Sequence, residues 1–245
     1  MLLHPTLEKL ASLRLTGMAT GLREQSNIDT IGELGFEERL GLLLDREQTV
    51  RENTRMQTRL RKAKLRQSGS IEDIDFRHPR GLDKSLILRL ADCQWIKTHN
   101  NLLITGPTGV GKSYLACAFA QKACRAGYSA LYLRMSKLFE DMALAKGDGR
   151  YLKLLASLAK TDLLVLDDFG LAPLNQEQRH NLLEILEDRY NIKATIITSQ
   201  LPEDHWHDQI GDSSLADAIL DRLVHAAYRI QLKGESMRKK KANLT

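Results

Sequence analysis

Cysteine is scarce in this chain. Its 245 residues include three, Cys93, Cys117 and Cys124, none at metal-ligand spacing with a histidine. That excludes a disulfide scaffold, and the apolar helical patterns around all three predict buried thiols in a reducing compartment. Long hydrophobic runs are missing as well. No segment approaches the ~18 apolar residues of a membrane span. The first ten residues lack the charged stretch and apolar run of a secretory leader, so the expected location is cytoplasmic. There is no internal repeat, no low-complexity tract and nothing patterned like a zinc finger or homeodomain, so base-specific reading of DNA is not expected.

What is present is an ordinary globular composition. Hydrophobic residues make up 42%, and 36 Lys and Arg against 31 Asp and Glu give a net charge of +5 with a pI near 9.1. This length is enough to bury a sizeable core, and the cationic excess hints at an acidic partner such as nucleic acid.

The first seventy residues read as helical. Leu7, Leu10, Leu13 and Leu15 fit one helix ending near Gly21, and Phe36, Leu40, Leu43 and Leu44 begin a second. The second continues into polar sequence in which Arg51, Arg55, Arg59, Lys62 and Arg66 recur every three or four positions as a basic stripe, beside Met56, Leu60 and Ala63. Ser68, Gly69 and Ser70 end it and mark the expected boundary between a helical N-terminal domain, 1–70, and a second domain, 71–245. A further helix is expected from Asp83 to Lys97. Beyond it, short apolar runs at 102–105, 130–133, 163–166, 195–198 and 228–232 alternate with helical patterns at 112–126, 137–145, 151–160, 176–190 and 214–226. Alternation of this kind predicts an α/β core, a parallel sheet sandwiched by helices.

Between the first of those strands and its helix lies Gly106-Pro107-Thr108-Gly109-Val110-Gly111-Lys112-Ser113, followed by Tyr114. The glycines let backbone wrap phosphates, and successive N–H groups and the helix N-terminus supply a positive field. Lys112 is expected at the β- and γ-phosphates and the Ser113 hydroxyl at Mg²⁺. The strand at 163–166 ends in Asp167 and Asp168, where the first carboxylate is expected to hold the metal shell and the second to activate water. The strand at 195–198 leads to Ser199 and Gln200, of which Gln200 is the favoured sensor of the γ-phosphate. Arg222, late in an amphipathic helix, is a candidate arginine finger for a neighbouring subunit; the alternative is an ion pair with Asp217 or Asp221.

At these residues the sequence resembles the AAA+ ATPases of the IstB/DnaC branch, which comprises transposition helpers of one insertion-sequence family and bacterial replicative helicase loaders. The resemblance covers nearly the whole chain. Its most specific part is the run from Ser214 to His225 followed by Arg229 to Arg238, which is similar to IstB. It implies a P-loop AAA+ core, ATP and Mg²⁺ as cofactors, Lys112, Ser113, Asp167 and Asp168 at the nucleotide, and Arg222 as the finger. It further implies DNA-stimulated ATP hydrolysis and an ATP-dependent multimer on double-stranded DNA that helps a transposase engage its target. The stretch after Leu232 is too short for the helical lid of ordinary AAA+ proteins, and Arg238 is the candidate for the sensor such a lid would carry. With this context the Arg51–Arg66 stripe, the run from Arg238 to Lys241, and Lys137, Lys146, Arg150 and Lys153 become candidate contacts to DNA phosphates. The alternatives are a helicase loader and an ATP-gated assembly protein with little turnover.

Overall fold

A computed structural model describes residues 3–237. The chain divides into two compact units, one running to Thr58 and one beginning at Arg59. The first unit contains helices α1 (Leu3–Ser12) and α2 (Thr16–Ser26), a 3₁₀ turn (Asp29–Glu33) and most of α3 (Phe36–Ala63). Leu15 supplies no side-chain cap to α2. Glu47 of α3 does so instead: its Oε2 accepts the Gly17 and Met18 N–H groups at 2.7 and 3.1 Å, and its Oε1 accepts from Arg51 Nε at 2.7 Å. These contacts, led by the one to Arg51, hold the Glu47 carboxyl below the usual carboxylate range.

The second unit begins with the last turn of α3, α4 (Lys84–Leu90) and α5 (Gln94–Lys97). Asp83 caps α4 by accepting the Ser85 and Leu86 N–H groups at 2.8 and 3.3 Å. The single helix expected over 83–97 is two, because Cys93 turns into the left-handed region at φ 63°. Helix α3 likewise stops at Ala63, short of the serine–glycine cluster, with Lys64 at φ 50°. Ser68, Gly69 and Ser70 lie inside the second unit. A Cβ on Gly69 would sit 2.9 Å from the Tyr114 carbonyl oxygen.

Five parallel strands follow, β1 (Asn101–Thr105), β2 (Ala130–Arg134), β3 (Leu163–Phe169), β4 (Ala194–Ser199) and β5 (Ala227–Gln231), in the order β2-β3-β4-β1-β5. The helices between them are α6 (Lys112–Arg125), α7 (Met135–Gly147), α8 (Tyr151–Lys160), α9 (Gln176–Glu187), α10 (Trp206–Ile210) and α11 (Ser213–Val224). Alternation along each strand divides the core. Leu102, Ile104, Leu163, Val165 and Ile196 pack with α4, α5 and α6 on one face; Leu103, Leu164, Leu166 and Ile197 pack with α7 to α11 on the other. The three cysteines are free and buried on the α6 face, and burial pushes the Cys93 thiol up to about 11. Among the described residues no helix is long and apolar enough to cross a membrane.

The strand order places the chemistry. Strand β4 lies between β1 and β3, so the loop after β1 and the carboxylates ending β3 flank the tip of β4 at the C-terminal edge of the sheet. Open parallel sheets bind ligands at that edge.

Candidate active site

The loop after β1 holds its shape through backbone that side chains resist. Gly106, Gly109 and Gly111 take φ of 142°, 84° and 103°. At Gly111 space is short as well as conformation: an added Cβ would lie 2.7 Å from the Arg80 guanidinium. Arg80 is buried and donates to the Val110 and Asp75 carbonyls at 3.1 and 3.2 Å, so it fastens the loop from behind; desolvation lowers its pKa. Helix α6 starts directly after Gly111 with no side-chain cap, and a helix N-terminus is suited to meet an anion.

Lys112 is largely buried, and its Nζ donates to the Gly106 and Pro107 carbonyls at 2.8 and 2.9 Å. Ser113 Oγ donates to Asp167, 2.9 Å from each carboxylate oxygen. Asp167 is fully buried and also accepts from the hydroxyls of Thr198 and Tyr132. Burial, then the bond to Asp167, raises the Tyr132 pKa, so this phenol stays a neutral donor.

The next residue faces elsewhere. The β3–β4 register slips between Leu166 and Phe169, and Asp168 adopts φ 64° with its N–H on Thr198 Oγ1 at 3.1 Å. This bulge takes Asp168 out of the strand's alternation and into a cavity of about 550 Å³ whose lining includes Lys112, Ser113, Thr108, Gln200 and Arg66. Burial raises the Asp168 pKa, and the neighbouring Asp167 charge adds to the rise. Arg66 Nη1 lies 3.6 Å from Asp167 and 3.9 Å from Asp168.

The donors suit a magnesium ion. A serine hydroxyl and a buried carboxylate are hard oxygen ligands already in contact, while no set of three or more histidine, cysteine or acidic groups among the described residues makes an all-protein cage. Two protein oxygens completed by phosphate and water are how magnesium is usually held.

A family model described as IstB-like ATP binding protein matches residues 8–245. The chain belongs to that family. It is 54% identical over 239 residues, 98% of each chain, to a Sinorhizobium fredii protein named as a putative insertion sequence ATP-binding protein. It is 34% identical over 208 residues, 85% of this chain and 78% of the other, to the protein so named for insertion sequence IS21 of Pseudomonas aeruginosa. Among solved structures, DnaI (TM-score 0.58, 24% identity, covering 69% of this chain and 92% of that one) and the DnaC helicase loader (0.56, 21%, 67% and 97%) share its fold. The fold is therefore the P-loop AAA+ core, carried here by a family of insertion-sequence proteins.

The remaining sequence-expected residues in this IstB-like chain fall in several places. Gly106 to Tyr114 form the loop and the start of α6, and Tyr114 Oη also donates to the Ser70 carbonyl at 3.3 Å. Gln200 reaches the loop, its Oε1 accepting from Thr108 Oγ1 at 2.6 Å. Ser199 is buried and spends its hydroxyl on the Phe169 carbonyl at 2.8 Å. Arg222 sits at the other end of the sheet, since its carbonyl accepts from Asn101 Nδ2, at the start of β1, at 2.8 Å. Its guanidinium pairs with Glu187 at 2.6 Å and Asp221 at 3.6 Å, while Asp217 lies by His207.

The basic stripe is not one surface. Arg51 is bound to Glu47 in the first unit, whereas Arg59, in the second, donates to the Cys124 carbonyl at 2.8 Å, and Arg66 lies at the carboxylates. Arg55 and Lys62 are exposed. Lys137 pairs with Glu140 and Asp141, Lys146 with Glu177, and Arg150 with Asp148, while Lys153 is exposed. The run from Arg238 to Lys241 lies outside the described residues. Sequence reasoning missed Thr198, Tyr132, Arg80 and the part Arg66 plays. Only the strand tip, where Thr198 precedes Ser199 and Gln200, offered a signal for any of them.

Proposed function

We propose that this protein is a DNA-stimulated ATPase that multimerises on double-stranded DNA, without regard to sequence, and helps a transposase select and engage its target. The observation that carries the ATPase reading is the Ser113–Asp167 contact, with Asp168 turned into the same cavity. It gathers the glycine-rich loop, a hydroxyl–carboxylate pair suited to a metal and a second carboxylate within one site. Kinship with insertion-sequence proteins along almost the full length of both chains supports the transposition role and favours it over helicase loading.

In this reading the loop N–H groups and Lys112 hold the β- and γ-phosphates, Lys112 exchanging its two carbonyl partners for phosphate oxygens. Ser113 and Asp167 would hold magnesium, which would supply neutralisation of phosphate charge. Asp168 accepts a proton from the attacking water, and Gln200, already on the loop at Thr108, senses the γ-phosphate. The exposed Arg55 and Lys62 are the cations proposed to meet DNA phosphates, with the Arg238–Lys241 run a further candidate by its sequence charge alone.

Replacing Asp168 by asparagine separates binding from turnover. The side chain keeps its size and loses its base. Asp168→Asn should bind Mg-ATP within a few-fold of wild type while steady-state hydrolysis falls about 10²- to 10⁴-fold, the range of general-base contributions. Isothermal titration with ATP and a phosphate-release assay on the same preparation check this. Normal turnover would remove Asp168 from catalysis.

A further inference from the structure

Arg66 stands where the chain has little reason to place a cation unless the carboxylates need one. Helix α3 ends at Ala63, Lys64 turns left-handed at φ 50°, and two residues later the Arg66 guanidinium lies over both Asp167 and Asp168. Gly69 then packs against α6, and Tyr114 Oη holds Ser70. The segment 64–70 is thus pinned at two points, and one of them is the carboxylate pair.

That pair is also what a magnesium nucleotide would use. Asp167 is fully buried, with three hydroxyls donating to it, and Arg66 Nη1 lies 3.6 Å from the same Oδ2 that Tyr132 bonds. A divalent ion at Ser113 and Asp167 would bring two positive charges up against a third, all drawing on the same oxygens. The Arg66 side chain is 45% exposed, so it has an open path away.

We propose that Arg66 is a placeholder cation: it neutralises Asp167 and Asp168 until a magnesium nucleotide loads, and its release then frees the exit of α3. The inference rests on the nucleotide reading above and adds a partner for the carboxylates that the phosphate-loop motifs do not supply. It predicts a sign opposite to that of a phosphate-binding arginine, since removing Arg66 should strengthen metal and nucleotide binding. An exposed ion pair carries a modest penalty, so the gain is about two- to fivefold in affinity.

The test uses the full chain, with R66Q to remove the charge and R66K to keep it, and circular dichroism to confirm that each is folded. Mn²⁺ alone, followed by electron paramagnetic resonance, and Mg-ATP, followed by titration calorimetry, should each bind R66Q more tightly than wild type by that factor, with R66K close to wild type. Hydrogen exchange of a peptide covering 60–70 should rise when Mg-ATP is added to wild type and should already be raised in R66Q. Weaker or unchanged binding by R66Q would overturn the placeholder role while leaving nucleotide binding standing, as would exchange at 60–70 that ignores Mg-ATP. Absence of Mg-ATP binding by folded wild type would instead overturn the nucleotide reading, and the placeholder with it.

Discussion

Lys112→Ala should reduce ATP affinity on the order of a hundredfold or more and with it abolish ATP-dependent assembly on DNA. The side chain is largely buried and its ammonium is fixed on the Gly106 and Pro107 carbonyls of the loop. In the proposed binding mode alanine removes a charge-assisted contact, roughly twice as strong as a neutral one, to the most highly charged part of the ligand. Arg80 and the glycine conformations hold the loop alongside Lys112 and remain in the variant, so it should fold and retain its melting temperature within a few degrees. Titration with Mg-ATP and gel filtration on duplex DNA read the two effects separately. Full assembly by the variant at wild-type ATP concentrations would contradict the loop's assignment.

The second large effect is expected at Arg222. It lies at the end of the sheet away from the phosphate loop and pairs with Glu187 at 2.6 Å, so it does not serve its own site. A partly exposed pair of this kind is held weakly, and a neighbouring subunit's triphosphate is a stronger attraction. If Arg222 completes the adjacent site, Arg222→Ala should bind ATP near normally and lose DNA-stimulated turnover by about 10³-fold or more, the scale of an arginine finger in GTPases. Mixing it with Asp168→Asn should restore activity, because the alanine variant keeps the carboxylate and the asparagine variant keeps the arginine. Turnover of the mixture on long duplex DNA, set against each variant alone, decides the point. No recovery in confirmed mixed assemblies would leave Arg222 as an ion-pair residue of α11.

The parts of this molecule legible in its sequence are those whose chemistry is local. Strand alternation and helical spacing marked the five strands, because parallel strands buried on both faces are short apolar runs between amphipathic helices. The phosphate loop was legible because glycines and a lysine must follow a strand at fixed spacing for backbone to wrap an anion. Asp167 and Asp168 were legible as a pair. Their different surroundings depend on a bulge that turns Asp168 to φ 64°, and no residue type announces it. The helix end at Lys64 and the break at Cys93 were hidden for a similar reason: both take left-handed backbone without the glycine that normally advertises it.

Charge was the least legible feature. A recurrence of arginines every three or four positions identifies a helix face but not what that face meets. Arg59 and Arg66 turn to the ATPase core, Arg51 to Glu47, and Lys137, Lys146 and Arg150 to nearby acids. Apart from Glu177 those acids lie within four residues of their cations, whereas the partners of Arg59, Arg66 and Lys146 are far along the chain, so local spacing and tertiary structure together decide which cations stay free for DNA. Thr198, Tyr132 and Arg80 escaped notice likewise, since each acts on a residue more than twenty positions away.

The proposed function as a whole turns on whether ATP controls assembly on DNA. Analytical ultracentrifugation of the full chain with a labelled duplex, in the presence of ATP, ADP or no nucleotide, measures this directly, with Asp168→Asn included to suppress turnover. ATP should produce a multi-subunit species on duplexes of unrelated sequence. That species should weaken as salt rises, as phosphate contacts require, persist with Asp168→Asn, and be absent with ADP. Equal loading of DNA under all three nucleotide conditions would contradict the account.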